Sequence, residues 1–481
     1  MAKKNLLPPF PEEIIIERLR FENPWWVSGA TDEEYQAFKH RQYVALFQPL
    51  VEETDVRRSV VLMGPRRVGK TVMLFHSMQA LIDGGVSPRQ ILYANIENPV
   101  YNNVPLEQLF HLARKATGHA DPKGWFVFFD EIQYLRDWEV HLKVLVDSYP
   151  KSKFVASGSA AAALKLKSAE SGAGRFTDFM LPPLTFHEYI SLKGLDHLMQ
   201  PAAMDWQGNL HRFFTTINIR EMNSHFLDYI NYGGYPEVIF SDKIRANPGR
   251  YIRSDIVDKV LLRDLPSLYG IQDVQEMNSL FTTLAYHSGN EVGLDTLSKA
   301  SHVEKHMLKK YLEYLEAAFL IRTINRVDDN AKRFQRANFF KIYLTNPSLR
   351  SALFAPLQPT DEQVGNMVET AIFAQWMHRD WFTPWYARWA AGEVDMVGID
   401  DKKLKPQWAL EIKWSNRFFE APGELKSLIQ FCRKNKLRSA LVTTIDKTGT
   451  VTLQDVALHF VPAAVYAYVV AFNTLEQKRG G

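Results

Sequence analysis

The sequence SVVLMGPRRVGKTVMLF at residues 59–75 carries the clearest structural signal in the chain. Residues 60–63 form a short apolar run of the kind that becomes a buried parallel strand. A loop of the form G-x-x-x-x-G-K-T follows. A helix that starts at Lys70 would then carry the apolar residues 72–75 into a core. This order of strand, glycine loop and helix predicts a P-loop.

The predicted loop has the residue types that binding the phosphates of ATP requires. Glycine lets the backbone turn its amides toward phosphate oxygens, and the start of the helix adds partial positive charge. Lys70 can reach the outer phosphates, and the Thr71 hydroxyl can hold Mg²⁺. A glycine loop that ends in Lys-Thr by chance would not need the strand and the helix around it. The residues expected to bind ATP and Mg²⁺ are Gly64, Pro65, Arg66, Arg67, Val68, Gly69, Lys70 and Thr71, with Asp130 from a later strand.

A second motif, WFVFFDEIQ at residues 125–133, follows the P-loop by about sixty residues, as P-loop sheets allow. Its bulky apolar residues predict a buried strand that ends in Asp130 and Glu131. From the carboxyl end of a strand, Asp130 can hold the water shell of Mg²⁺, and Glu131 can polarise the water that attacks the γ-phosphate. Two acids also occur where a strand simply enters a surface loop, but the distance from the P-loop favours the catalytic interpretation.

Two further segments supply candidates for contacts with the γ-phosphate. Residues 154–159 predict a strand that ends in small polar residues, so Ser157 or Ser159 would lie beside the γ-phosphate. Arg175 stands in a glycine-rich context at residues 172–176. It can be a solvated side chain, or it can reach a phosphate in its own subunit or in a neighbouring one.

The motifs GPRRVGKT, FFDEIQ, SGSA and GRF…LPPLTFHEY together resemble those of prokaryotic AAA+-type ATPases fused to a C-terminal domain of restriction-endonuclease-like fold. The resemblance extends from about residue 40 over nearly all of the remaining chain. It implies an α/β protein with a parallel P-loop sheet, a helical lid, a winged helix-turn-helix and a C-terminal α/β domain. The expected segments are 1–55 (N-terminal lead-in), 56–195 (ATPase core), 196–270 (lid), 271–335 (winged helix), 336–475 (endonuclease-like domain) and 476–481 (tail).

In the segment expected to form a winged helix, the sequence predicts three short helices followed by a β-rich stretch, FLIRTINRV. Four lysines in it could contact DNA phosphates. Winged helices in ATPases are also often lids or spacers, so DNA contact is one of two interpretations. The lysines are Lys299, Lys305, Lys309 and Lys310.

The C-terminal segment contains a second set of acids. Side chains two apart on a strand share a face, so Glu411 and Lys413 project together, and a hairpin would bring Asp395 beside them. Asp395 and Glu411 could then hold Mg²⁺, with Glu369 close by from a helix and Lys413 positioning or deprotonating the attacking water. The same residues resemble the metal site of PD-(D/E)xK nucleases. The first motif is Gly-Glu-Val-Asp rather than Pro-Asp, and Glu-x-Lys is also a common charged outer face of a strand.

The composition of the chain argues against disulfide-bonded, cysteine-zinc, secreted and membrane-spanning proteins. The chain has 481 residues, a formal net charge of +3 and one cysteine, Cys432, so it has neither an intrachain disulfide nor a cysteine zinc site. The N-terminus lacks the apolar core of a signal peptide, and the apolar stretch 456–472 is interrupted by His459 and Pro462. These features predict a soluble cytoplasmic protein without a membrane partner.

The sequence as a whole predicts an ATP-hydrolysing AAA+-type enzyme that couples its nucleotide state to a DNA-acting, metal-dependent nuclease-like domain, in DNA processing or defence. The alternative is a nucleotide-dependent switch or scaffold whose C-terminal domain binds nucleic acid or protein without cleaving it. ATP, Mg²⁺ and DNA are the expected ligands, and a homo-oligomer is the expected assembly.

Overall fold

The computed structural model describes residues 10–159, 174–204, 210–247, 249–271, 273–330, 339–400 and 402–480. The chain divides into two compact units, Met1–Pro182 and Pro183–Gly481. The proposed boundaries at residues 195, 270 and 335 all lie inside the second unit, so the six-segment division stays a prediction. Among the helices that the structure describes, none combines the length and the apolar character needed to span a bilayer.

The first unit is built on a five-stranded parallel sheet with helices packed around it. Its strands are β1 (Ser59–Gly64), β2 (Ile91–Asn95), β3 (Phe126–Asp130), β4 (Lys153–Ser159) and β5 (Phe176–Met180). Its helices are α1 (Glu12–Glu22), α2 (Trp25–Ser28), α3 (Glu33–Ala37), α4 (Val44–Glu52), α5 (Lys70–Asp83), α6 (Leu106–Thr117) and α7 (Trp138–Ser148), with short 3₁₀ turns at Pro88–Gln90, Pro99–Tyr101 and Ile132–Tyr134. The predicted strand before the P-loop and the helix that starts at Lys70 are confirmed.

The strand order in this sheet is β2-β3-β4-β1-β5. Strand β4 therefore lies between the strand that leads into the P-loop and the strand that ends in Asp130. Since all strands run parallel, their carboxyl ends lie along one edge of the sheet. The P-loop, Asp130 and Ser157 meet at that edge, where open α/β sheets bind ligands.

The N-terminal lead-in packs on the edge strand β2. The Asn23 amide donates to the Tyr93 carbonyl at 2.8 Å and accepts from the Tyr93 backbone N–H at 2.6 Å. The indole N–H groups of Trp25 and Trp26 both donate to the Ile91 carbonyl, at 3.0 and 2.8 Å. These contacts dock the aromatic cluster after Asn23 on the parallel sheet, and they cover backbone groups that an edge strand would otherwise expose.

The second unit is built on a mixed nine-stranded sheet of order β15-β16-β14-β13-β12-β11-β9-β10-β8. Its strands are β8 (Glu291–Gly293), β9 (Ile321–Val327), β10 (Phe339–Leu344), β11 (Trp385–Trp389), β12 (Gly392–Asp400), β13 (Lys405–Glu411), β14 (Ser439–Thr444), β15 (Gly449–Leu453) and β16 (Val456–Pro462). A separate hairpin, β6 (Met199–Ala202) with β7 (Phe213–Thr216), lies in the segment predicted to be a mainly helical lid.

The helices of the second unit surround this sheet. They are α8 (Phe186–Leu192), α9 (Ile219–Tyr232), α10 (Pro236–Phe240), α11 (Asp242–Arg245), α12 (Leu265–Tyr269), α13 (Val274–Tyr286), α14 (Leu294–Ser301), α15 (Lys305–Ala317), α16 (Ser348–Leu353), α17 (Val364–Trp376), α18 (Arg417–Glu420), α19 (Lys426–Lys434) and α20 (Ala463–Gly480). Asp196–Leu198 and Pro422–Glu424 are 3₁₀ turns, and Gly249–Asp258 and Val260–Asp264 are π-helical.

Alternating side chains divide the core of this unit into two layers, as the two-residue period of a strand requires. Met396 and Leu410 pack in one layer with helices α17 and α20, whereas Val397 and Ala409 pack in the other with α19. Strands β12 and β13 form the antiparallel hairpin that the sequence suggested, and Met396 lies opposite Leu410 in it. This register brings the neighbouring Asp395 and Glu411 to the same end of the hairpin.

Candidate functional site

The P-loop curves tightly between β1 and α5. A Cβ atom on Gly64 would lie 2.3 Å from the Leu181 carbonyl oxygen, so only glycine fits at this position. Gly69 has a φ of +93°, in the left-handed region that favours glycine. Lys70 is 6% exposed, and its ammonium donates to the carbonyls of Gly64 and Pro65 at 3.1 and 3.0 Å. The lysine charge therefore lies inside the curve of the loop.

Three arginines stabilise this loop, one from outside it and two within it. Arg41 is buried, and its guanidinium donates to the Val68 and Pro182 carbonyls at 2.9 Å each. Arg66 donates to the Tyr134 hydroxyl at 3.0 Å, and Arg67 has a φ of +64°. Arg41 lies far from the glycine motif in sequence, and no pattern around it indicated this role.

Asp130 is the centre of the acidic part of the site. It is 1% exposed, and its Oδ2 atom accepts from the Thr71 hydroxyl at 2.7 Å and from the Tyr93 hydroxyl at 2.9 Å. Its Oδ1 atom accepts from the Ser157 hydroxyl. Burial, together with the charge of Glu131, raises the pKa of Asp130, and the three hydroxyl donors oppose that rise. Thr71, Asp130 and Ser157 are thus brought together as predicted, whereas Tyr93 was missed.

Glu131 directly follows the end of β3 and has a φ of +54°. Its carboxylate accepts a hydrogen bond from the Gln133 amide, whose oxygen in turn accepts from the Ser159 backbone N–H at 3.1 Å. The Glu131 backbone N–H donates to the Ser157 hydroxyl at 3.3 Å. Gln133, in the 3₁₀ turn after β3, therefore links the Glu131 carboxylate to the end of the neighbouring strand β4 and orients it.

Arg175 lies at the opposite end of the sheet. Its carbonyl accepts from the Ser59 backbone N–H at 3.0 Å, so it stands level with the start of β1, whereas the P-loop begins at the other end. Five residues of strand separate these ends by roughly 17 Å, which exceeds the reach of an arginine side chain. The Arg175 guanidinium instead pairs with Asp147 at 2.6 Å. Of the two alternatives for Arg175, contact with a phosphate of its own subunit does not fit this geometry, and an action in a neighbouring subunit stays a prediction.

The predicted C-terminal residues also converge. The Lys413 ammonium lies 3.2 Å from Asp395 and 2.8 Å from Glu411, and Asp395 also accepts from the Ile412 backbone N–H at 2.8 Å. Glu369, on α17, accepts from the Tyr343 hydroxyl at 2.6 Å. The hairpin explains why Asp395, Glu411 and Lys413 meet.

A residue that the sequence did not single out lies between these acids. Lys341, on β10, is 3% exposed, and its ammonium lies 3.0 Å from Glu369, 2.7 Å from Glu393 and 3.8 Å from Asp395. Arg388 pairs with Glu393 from the other side at 3.2 Å. Two lysines and an arginine are therefore interleaved with four carboxylates in this cluster.

The pKa values in the cluster follow from burial and from these charges. Burial alone lowers the pKa of Lys341, but the charges of Glu369, Asp395 and Glu393 raise it well above its ordinary value, so the ammonium is protonated. Burial, followed by the charge of Asp395, raises the pKa of Glu411 to about 7. Burial also raises the pKa of Asp395, but Lys413 and Lys341 outweigh it and lower that pKa below its ordinary value.

The described residues include no group of three or more Asp, Glu, His or Cys side chains placed to hold a metal ion. Lys341 and Lys413 separate the carboxylates that the sequence predicted as ligands. One carboxylate oxygen of Glu411 is buried without a hydrogen-bond partner. With the ammonium groups of Lys341 and Lys413 in these places, the side chains of Glu369, Asp395 and Glu411 do not form a metal site as they stand, so this site stays a prediction.

Two models of protein families match separate parts of the chain. Residues 56–190 match the family model described as an AAA domain. Together with the parallel sheet and its P-loop, this match supports a nucleotide-binding ATPase domain in the first unit. Residues 223–361 match a domain of unknown function (DUF8612), and this match crosses the predicted boundaries at 270 and 335.

Several proteins resemble longer parts of the chain. An uncharacterised protein of Haemophilus influenzae is 26% identical over 82% of this chain and 91% of its own length. An uncharacterised protein of Methanocaldococcus jannaschii is 23% identical over 76% of this chain and 78% of its own length.

Among solved structures, the Aeropyrum pernix ORC2 protein in its ADPNP-ADP complexes matches 77% of this chain and 96% of that chain with 14% identity and a TM-score of 0.33. The A. pernix ORC1 protein in complex with DNA matches 66% and 92% with 11% identity and a TM-score of 0.31. Both TM-scores are low, and nothing about this chain follows from them.

Proposed function

We propose that the first unit binds ATP with Mg²⁺ at the P-loop and hydrolyses it. The observation that carries this proposal is the 2.7 Å hydrogen bond from the Thr71 hydroxyl to Asp130, with Glu131 next in sequence. A hydroxyl and a carboxylate on neighbouring elements are the pair of oxygens that would hold Mg²⁺ beside the β- and γ-phosphates. When bound, Mg²⁺ would supply positive charge to these phosphates.

The residues of the site then have separate roles. Backbone amides of residues 64–71 and the Lys70 ammonium bind and orient the phosphates. Glu131, oriented by Gln133, polarises the attacking water and accepts its proton. Ser157 fixes the carboxylate of Asp130 and lies where it can respond to the γ-phosphate.

The nucleotide proposal is tested first by binding. The Lys70→Ala substitution removes a charge-assisted hydrogen bond that contributes about 1.5–3 kcal/mol, so the affinity for ATP should fall by roughly 10- to 100-fold. A matched control is Lys151→Ala, because Lys151 is an exposed lysine of the same unit. Equilibrium titration with a fluorescent ATP analogue measures both. Equal affinity of wild type and Lys70→Ala would contradict the proposal.

We further infer that the segment formed by residues 274–330 and 339–344 contacts the backbone of duplex DNA. The elements follow the order α13, β8, α14, α15, β9 and β10, which is the order of a winged helix, and the three strands pair in one antiparallel group. Lys299, Lys309 and Lys310 are exposed, whereas Lys305 pairs with Asp295. Exposed lysines on neighbouring helices are suited to phosphate contacts.

The DNA inference predicts a strong effect of charge reversal. The double substitution Lys309→Glu and Lys310→Glu should weaken duplex binding and lower its dependence on salt, because each lost phosphate contact removes about one unit of the salt slope. The pair Lys123→Glu and Lys151→Glu makes the same change of net charge on exposed residues of the first unit. Fluorescence anisotropy over a range of salt concentrations measures the slopes. If both pairs lose binding equally, or neither does, α15 is a lid or spacer.

For the C-terminal domain, the position of Lys341 favours the alternative of binding nucleic acid or protein without cleavage. Metal-dependent cleavage by Glu369, Asp395, Glu411 and Lys413 remains the competing proposal. Wild-type protein incubated with DNA and Mg²⁺ or Mn²⁺, with and without ATP, should leave the DNA intact. Nicking by wild type that is lost in Asp395→Asn would establish the nuclease instead.

A further inference from the structure

Lys341 is a buried charge whose position is set by the sheet. It lies on β10 between β9 and β8, with Ile324 and Glu291 as its cross-strand neighbours. Its side chain is 4% exposed, and a buried ammonium without partners would be strongly destabilising. Glu369 and Glu393 satisfy it at 3.0 and 2.7 Å. The fold therefore requires these carboxylates to face Lys341.

The same two elements supply the acids expected to bind a metal. Glu369 comes from α17 and Asp395 from β12, and the Lys341 ammonium lies within 4 Å of both. A divalent ion bound to these carboxylates would sit about 2.0–2.6 Å from their oxygens. It would therefore meet the Lys341 ammonium at contact distance, where two cations repel each other strongly in a buried site.

The surroundings keep Lys341 in this place. Its ammonium lies 5.5 Å from the centre of the Tyr386 ring, which adds a cation–π contact. The Tyr343 ring stacks on Phe373 at 4.0 Å, and its hydroxyl holds Glu369. Withdrawal of the lysine would leave Glu369 and Glu393 without their shared counter-charge.

We propose that Lys341 is a resident cation that takes the place of a divalent metal among Glu369, Glu393 and Asp395. In the wild-type protein this carboxylate cluster does not take up Mg²⁺ or Mn²⁺. Removal of the ammonium creates a divalent-metal site at the same carboxylates. This inference rests on the proposal that the C-terminal domain does not cleave DNA. Its test measures metal binding and stability rather than cleavage, so the inference and the proposal can fail separately.

The test compares wild type with Lys341→Met, which keeps the length and the apolar stem of the side chain but removes its charge. Nucleotide-free wild type should bind no Mn²⁺ at this cluster, and its thermal midpoint should not change with Mn²⁺. Lys341→Met should melt at a lower temperature because Glu369 and Glu393 lose their shared counter-charge. Added Mn²⁺ should bind to the variant at this cluster, where wild type binds none, and should restore much of the lost stability.

Three controls assign the effect to the cluster. Lys426→Met removes an exposed lysine and should change neither stability nor Mn²⁺ binding. The double variant Lys341→Met with Asp395→Asn should lose the stabilisation by Mn²⁺. Lys341→Arg keeps the charge and should bind no Mn²⁺.

Two results would overturn the inference. One is Mn²⁺ binding by wild type that disappears in Asp395→Asn, and the other is a Lys341→Met protein that gains neither binding nor stability from Mn²⁺. If Lys341→Met aggregates on expression, refolding from denaturant with and without Mn²⁺ decides the question. A higher yield of folded protein with Mn²⁺ supports the inference, and an unchanged yield contradicts it.

Discussion

Asp130 depends on hydroxyl groups from three different elements. Thr71 of α5, Tyr93 of β2 and Ser157 of β4 all donate to its carboxylate. Each donor stabilises the charged form, which burial of the residue opposes. The Tyr93 hydroxyl shares the Oδ2 atom with Thr71, so it fixes the carboxylate oxygen that faces the expected Mg²⁺ position.

Tyr93→Phe should therefore impair ATP hydrolysis without unfolding the protein. Loss of one hydrogen bond to a charged group is expected to lower turnover or Mg²⁺ affinity by about tenfold or more. Titrating Mg²⁺ at saturating ATP separates an effect on apparent metal affinity from one on the maximal rate. Tyr101→Phe is the matched control, because its hydroxyl contacts Glu22 at 2.9 Å rather than Asp130. Unchanged kinetics in Tyr93→Phe would make this tyrosine a purely structural residue.

At the scale of elements, the contact of α8 with α20 contains a buried histidine. The His187 ring lies 5.0 Å from the Tyr468 ring and 5.1 Å from the Phe472 ring. Burial, followed by the charge of Arg479, lowers the pKa of His187 to about 4. The unfolded chain, with an ordinary histidine pKa near 6.5, then binds this proton more readily than the folded protein. The stability contributed by neutral His187 is present above pH 6.5 and is lost as the pH falls toward 4.

His187→Phe should make the second unit less sensitive to mild acid. Between pH 7 and pH 5 this histidine alone should cost wild type about 2 kcal/mol of unfolding free energy, a loss that the variant does not share. Denaturant titrations of both proteins at the two pH values measure the difference. A parallel loss in both proteins would mean that His187 is not neutral in the folded state. His225→Phe is a useful comparison, because His225 is less buried.

Local patterns in the sequence predicted the elements that carry most of the chemistry. The run before Gly64, the helix start at Lys70 and the strand before Asp130 all lie within short segments whose periodicity is readable. The hairpin that joins Asp395 to Glu411 is also local, so its pairing was predictable. Lys341 could not be predicted, because its meeting with Glu369 and Asp395 depends on the order of strands in the nine-stranded sheet. The same holds for Tyr93 and Asp130, which come together only through the pairing of β2 with β3.

At the scale of the whole molecule, Arg175 lies too far from the P-loop of its own subunit to contact a phosphate there. It can contact a phosphate only if the protein forms an oligomer. Its ion pair with Asp147 is exposed, and such pairs are weak, so a neighbouring subunit could replace it at little cost. If Arg175 acts in a neighbouring subunit, ATP hydrolysis should rise more than linearly with protein concentration. Light scattering at the same concentrations would follow the predicted homo-oligomer.

Mixing variants tests this action directly. Arg175→Ala and Lys70→Ala should each be impaired alone, and a mixture should regain part of the activity because each subunit supplies what the other lacks. Arg20→Ala is a control at an exposed arginine of the same unit and should retain full activity. Full specific activity of Arg175→Ala in a monomeric protein would remove this arginine from the catalytic residues.

The release of phosphate from ATP by wild type and by Glu131→Gln is the most direct test of the nucleotide site. The substitution removes the water-polarising carboxylate but leaves the P-loop, Thr71 and Asp130 in place. Wild type should turn over, whereas Glu131→Gln should bind ATP with similar affinity and release phosphate at least about 100-fold more slowly. Glu139→Gln, an acid of α7, should match wild type. Equal rates for wild type and Glu131→Gln, or no phosphate release by wild type at any protein concentration, would contradict the assignment.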